Sequence, residues 1–207
     1  TTGTGPVVVV NTGILSIASG ISFSLDGLFS QTGAGDVHLG GSINTNNANI
    51  SFLSPITLTG NASLSSGSGA TITIGAPLDG SFGFTATAGS GSILFFAAVG
   101  MPTPLSYLSV TAANIGTQGN HVVGLGPMTY SGAVTIGTNT RFINGGLLGS
   151  LTYNGSVSGN FALTINGGFS TVTITGDVDT SAPGVFGPNG NNGGNISITS
   201  NLDVLIG

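Results

Sequence analysis

The chain has 207 residues, one Arg, six Asp, no Lys, no Glu and no Cys, for a net charge of −5, and charged residues make up 3% of it, against about 25% in an ordinary soluble domain. A single cation cannot neutralise a nucleic-acid backbone, an anionic membrane surface repels such a chain, and the absence of Cys removes thiol catalysis, disulfides and thiolate zinc sites. Gly, Thr, Ser and Asn contribute 107 residues, yet 39% of the chain is hydrophobic and the mean hydropathy is +0.47, so there is apolar surface for a core and a disordered tract is not expected.

Helix is disfavoured throughout, because Glu and Lys are missing and Gly, Thr, Val and Ile abound. One short strand pattern recurs instead: apolar, any, apolar, any three, apolar. In chain order it reads Leu15-Ile17-Ile21, Val37-Leu39-Ile43, Ile50-Phe52-Ile56, Ile72-Ile74-Leu78 and Ile93-Phe95-Val99. Two weaker copies follow, Ile115-Thr117-His121 and Val134-Ile136-Thr140. The last three are Leu151-Tyr153-Val157, Val172-Ile174-Val178 and Ile196-Ile198-Leu202. Their first residues are 22, 13, 22, 21, 22, 19, 17, 21 and 24 apart.

Two apolar residues flanking a polar one lie on one face of a strand. The next three residues often hold Gly or Pro and turn a corner, as at Gly40–Gly41, Ser54–Pro55 and Gly75–Pro77. The last apolar residue starts another short strand aimed at the same interior. Loops such as Asn44–Asn49, Ser65–Gly69 and Asn189–Asn195 complete each circuit. This pattern predicts an all-β fold, a parallel β-helix (β-solenoid) of about ten coils of roughly 20 residues, ~48 Å long at ~4.8 Å per coil. Residues 1–207 are read as one solenoid domain or a segment of a longer solenoid. A sandwich or barrel alternates polar and apolar residues too, but does not need the three-point pattern at near-constant spacing. A transmembrane barrel is disfavoured by the absence of Trp and the presence of only three Tyr. No 20-residue apolar run or basic-then-apolar leader is visible, so neither membrane insertion nor a signal peptide is expected.

From Gly33 to Gly119 the chain resembles the repeat region of filamentous-haemagglutinin-type bacterial exoproteins. The resemblance rests on Gly35-Asp36-Val37-His38-Leu39-Gly40-Gly41, Asn49-Ile50-Ser51-Phe52, Ile56-Thr57-Leu58-Thr59-Gly60 and Pro104-Leu105-Ser106-Tyr107-Leu108-Ser109-Val110. It implies a right-handed β-helix that is secreted or exposed at the cell surface, with a structural or adhesive role.

The chemistry-bearing residues are few. Asp26–Gly27 and Asp79–Gly80 are turn dipeptides. Asp177 and Asp179 alternate and share a face; a solvated surface is the expected reading and Ca²⁺ the less favoured one. His38 and His121 are 83 residues apart with no obvious carboxylate partner, and Arg141 is the one other basic residue. No catalytic, cofactor-binding or metal-binding residue is therefore assigned, no cofactor is expected, and enzymatic activity is not expected. The residues between the first two apolar positions are Ser16, His38, Ser51, Thr73, Leu94, Gly116, Thr135, Thr152, Thr173 and Ser197. They predict a hydroxyl ladder along one outer face. The Asn-x-Ser/Thr sites at Asn49, Asn61, Asn154 and Asn195 are as many as chance provides. The expected function is a non-catalytic extracellular or cell-surface structural or adhesive protein. The alternative is a self-assembling subunit of a filament, sheath or surface layer. Expected partners are further coils of the same chain or identical subunits end to end, and a host or matrix surface, with no nucleic acid.

Overall fold

The computed structural model describes residues 2–3, 5–147, 149–180 and 194–207. The chain winds through parallel strands with no helix among them. The first turns are β1 (Thr2–Gly3), β2 (Val7–Val10) and β3 (Leu15–Ile17), then β4 (Ser22–Leu25), β5 (Phe29–Thr32) and β6 (Val37–Leu39). Next come β7 (Ser42–Thr45), β8 (Ile50–Phe52) and β9 (Ile56–Leu58), followed by β10 (Ala62–Ser65), β11 (Thr71–Ile74) and β12 (Leu78–Asp79). The middle holds β13 (Gly83–Phe95), β14 (Tyr107–Thr117), β15 (His121–Val123), β16 (Met128–Ile136) and β17 (Thr140–Asn144). The upper turns are β18 (Ser150–Asn154), β19 (Val157–Ser158) and β20 (Leu163–Asn166), then β21 (Thr171–Ile174), β22 (Val178–Asp179), β23 (Ile196–Thr199) and β24 (Val204–Ile206).

Each strand pairs with its counterpart one turn along, so the strands stack into three faces. Face one runs β1-β4-β7-β10-β13-β14-β16-β18-β21-β24. Face two runs from β2 through β5, β8 and β11 to the second halves of β13, β14 and β16, then β19 and β22. Face three runs β3-β6-β9-β12, continues through single bridges at Val99, and resumes as β15-β17-β20-β23. The result is a β-solenoid of about eight turns. Paired residues on successive turns are 18 to 24 apart, except in the last turn. There Leu163 meets Ile196 and Val172 meets Val204. Most of the expected Asn189–Asn195 loop belongs to that turn and lies outside the described residues.

The three-point pattern marks a corner, and not always the same one. Copies starting at Leu15, Val37 and Ile196 begin on face three, those at Ile50, Ile72, Ile93, Ile115 and Val134 on face two, and those at Leu151 and Val172 on face one. The 13-residue step from Val37 to Ile50 is a change of corner, as are the 17- and 24-residue steps. Ten copies therefore correspond to about eight turns.

Inward residues form continuous columns. On face one the column is Phe23-Ile43-Leu64-Ala86-Val110-Tyr130-Tyr153-Ile174-Ile206. From Ile43 to Ile174 every member is buried. A buried aliphatic side chain contributes about 1.5–3 kcal/mol, and here each one is covered above and below by the same face of the next turn.

Corners are sealed by side-chain amides from the turn below. The backbone N–H groups of Thr71, Gly83, Arg141 and Ala162 donate to Oδ1 of Asn49, Asn61, Asn120 and Asn139 at 2.9–3.0 Å. Asn47 (φ 56°) accepts from Ser68 N–H at 2.7 Å, and Asp79 Oδ1 accepts from Thr103 N–H at 2.8 Å. A corner is where the strand ladder lapses, so each of these side-chain oxygens, five amide and one carboxylate, satisfies a donor that the sheet leaves over.

Candidate functional surface

The outer side of face one carries the most regular surface of the molecule. Because β4 to β21 pair in register, the outward residues align in rows. One row is Ser22, Ser42, Ser63, Thr85, Ser109, Thr129, Thr152 and Thr173, a hydroxyl on every strand of the face from β4 to β21, until Leu205 takes the position on β24. The second row, two residues along each strand, is Ser24, Asn44, Ser65, Thr87, Thr111, Ser131 and Asn154. Neither row contains an ionisable group. Rungs lie ~4.8 Å apart along the axis and the two rows ~6.6 Å apart along the strand. Donors and acceptors on such a surface can meet a partner's hydroxyls, amides or bound water without the cost of desolvating a charge.

The single ladder expected from sequence is divided. Ser16, His38 and Ser197 stand on face three, Ser51, Thr73, Leu94, Gly116 and Thr135 on face two, and Thr152 and Thr173 on face one. The pattern that located them changes corner along the chain. The complete row begins at Ser22, and its alternation was visible in Ser22-Phe23-Ser24 and Ser63-Leu64-Ser65, but aligning the turns required the register.

On face two the hydroxyls are interrupted at Leu94 and Gly116. A Cβ on Gly116 would lie 2.9 Å from Leu94 Cδ2, so Leu94 occupies the space that a side chain would take. A depression of ≈ 180 Å³ results, lined by Leu94, Phe96, Gly116, Gln118, Thr135 and Gly137.

The structure does not gather the scattered ionisable residues. Asp26, Asp36, Asp203 and Arg141 are exposed at separate places, and Asp177 and Asp179 are exposed on either side of Val178. Among the described residues no group of three or more His, Asp or Glu side chains is placed to hold a metal ion. Asp79 works locally, accepting from Gly80 N–H at 2.9 Å as well as from Thr103.

Polar chemistry lies inside the solenoid instead. His121 occupies the inward column of face three and is completely buried. Thr117 Oγ1 lies 2.5 Å from its Nε2 and Tyr130 OH 2.6 Å from its Nδ1, so both ring nitrogens are satisfied. Thr117 comes from the inward column of face two and Tyr130 from that of face one. Phe95 and Phe142 pack on the imidazole with ring centroids 5.1 and 5.3 Å away. Tyr130 stacks on Tyr153 at 5.2 Å and 9°. Burial pushes the His121 imidazolium down to about 3 and raises both tyrosines well above their ordinary range, Tyr130 adding repulsion at Tyr153. The Tyr153 hydroxyl is buried and makes no hydrogen bond. A second polar inset lies near the first turns: Gln31 Nε2 donates to Asn11 Oδ1 at 2.7 Å and Ser54 Oγ at 3.1 Å, while its Oε1 accepts from Leu53 and Ser54 N–H at 3.2 Å.

No family model, curated protein or solved structure matches the chain.

Proposed function

We propose that the chain is a non-catalytic structural and adhesive solenoid, secreted or held at a bacterial cell surface, wound right-handed as in the exoproteins it resembles. The observation that carries this reading is the double row on face one. Its eight aligned hydroxyls and seven aligned hydroxyl or amide groups make a long, uncharged, hydrogen-bonding strip on a rigid stack. Such a strip suits many weak contacts to a host or matrix surface, whose sum gives avidity. The low content of charged residues, 3%, supports the same reading, since the strip itself carries no charge to repel an uncharged partner.

The test is retention of beads coated with the chain on cell monolayers and on extracellular-matrix films under flow. Retention well above beads carrying an inert protein of equal net charge supports the reading. Equal retention on every surface overturns it.

A second reading is a self-assembling subunit of a filament, sheath or surface layer. It is favoured by apolar side chains exposed on both outermost rungs: Val8, Val10 and Ile14 on one, Val204, Leu205 and Ile206 on the other. Unpaired strand edges with apolar residues invite another copy or further coils of the same chain. Electron microscopy of the purified chain separates the two, because this reading requires rods that lengthen with concentration.

A further inference from the structure

We propose that His121 is an acid-released latch for the middle of the solenoid: protonation of its ring opens the turns from β14 to β17 while the turns around Phe29 and Phe52 stay stacked. His121, Thr117 and Tyr130 each come from an inward column of a different face, so one imidazole ties all three walls together across the core.

Among the described residues no carboxylate stands by the ring to balance a positive charge. β13 presents Phe95, β14 presents Thr117, β16 presents Tyr130 and β17 presents Phe142. Tyr153 of β18 lies beyond, stacked on Tyr130 and against Phe142. Tyr130 and Tyr153 are the titratable groups facing the cluster, and both remain neutral. Among the described residues every Asp but Asp79 is exposed, Asp79 binds the Gly80 and Thr103 N–H groups, and Arg141 of β17 is exposed on the outer surface. An imidazolium here would be a buried, uncompensated charge.

The neutral ring is favoured in the stacked state, with its proton affinity lowered to about 3 from the ordinary 6.5. Above pH 6.5 the stacked and opened states both hold a neutral ring, and the latch contributes its full stability. As pH falls from 6.5 towards 3, only the opened state takes up the proton, so stability is lost across that window. In a stack of nearest neighbours, weakening one interface opens the turns beside it and need not melt the remainder. The lower end is packed differently: Phe29 and Phe52 meet at 5.2 Å beside the uncharged Gln31 inset.

The test is backbone hydrogen exchange of the full chain at pH 7 and pH 4, corrected for intrinsic rates. Opening at residues 107–144 is expected to rise by roughly a hundredfold, while residues 29–65 change little. His121→Gln, which cannot take up the proton, is expected to abolish the rise. A protection pattern that changes equally along the whole stack, or an unchanged pH response in His121→Gln, overturns the proposal. Should that variant not fold, the wild-type pattern decides alone: a response centred on β14–β17 supports the latch, and one that begins at the outermost turns overturns it.

Discussion

Tyr153 shows how finely the core separates packing from hydrogen bonding. Its ring is fully buried, stacked on Tyr130 and set edge-on to Phe142 at 5.4 Å, yet its hydroxyl has no partner. A buried polar atom without a partner costs about 1–3 kcal/mol. Tyr153→Phe keeps the ring and removes that cost, so thermal unfolding should show a higher melting temperature, with a gain of about 1 kcal/mol. Tyr130→Phe should do the opposite, because it deprives His121 Nδ1 of its partner inside the core. A loss of about 1–3 kcal/mol is expected in the same measurement. The difference between two tyrosines one rung apart was not legible in the sequence. Tyr153 stood at an apolar position of the repeat and Tyr130 fell between copies. Only the register makes them neighbours and brings His121, nine residues before Tyr130, to one of them.

At the scale of the strand and corner, the sequence was more informative. Val-x-Leu, Ile-x-Phe and Ile-x-Leu triplets do form strands with the outer two residues buried, as in β6, β8 and β9. Gly and Asn do sit at the turns, but their work is more specific than conformational freedom. Gly132 bends β16 between faces one and two with φ 140°, and a Cβ there would stand 1.8 Å from the Ala112 carbonyl oxygen on the turn below. Gly132→Ala must push two rungs apart, and a loss of at least about 2 kcal/mol is expected in denaturant unfolding. Asn120 instead supplies an acceptor to the next turn. Asn120→Ala leaves the Arg141 N–H without its side-chain partner and should cost about 1 kcal/mol. The expected corner pattern carried the strands but not their order, because Val37 and Ile50 open the same pattern on different faces. Spacing alone therefore overcounted the turns, and the outward ladder that it implied was spread over three walls. The Ser and Thr row on face one was missed for the same reason: β7 and β10 have one apolar residue between two small polar ones, which does not open the three-point pattern.

Across the whole molecule, scarcity of charge organises both surfaces of the wall. Inside, columns such as Phe29-Ile50-Ile72-Ile93-Ile115-Val134-Val157 stack one aliphatic or aromatic group on the next. Outside, face one repeats hydroxyls and amides at the same pitch. A charged residue in such a row would face its neighbours ~4.8 Å away, so the uncharged composition is the one that lets identical rungs lie against each other. The same property leaves the outer strip ready for contact with another uncharged surface. On the proposed function this strip, rather than any ionisable constellation, makes the contacts. The most direct measurement is bead retention under flow for the double variant Ser63→Asp and Ser109→Asp, whose charges stand two turns apart on face one, with circular dichroism confirming an unchanged fold. Retention is expected to fall at least about tenfold relative to the wild-type chain, through desolvation and repulsion on the strip. Retention equal to wild type, with the fold intact, would contradict it.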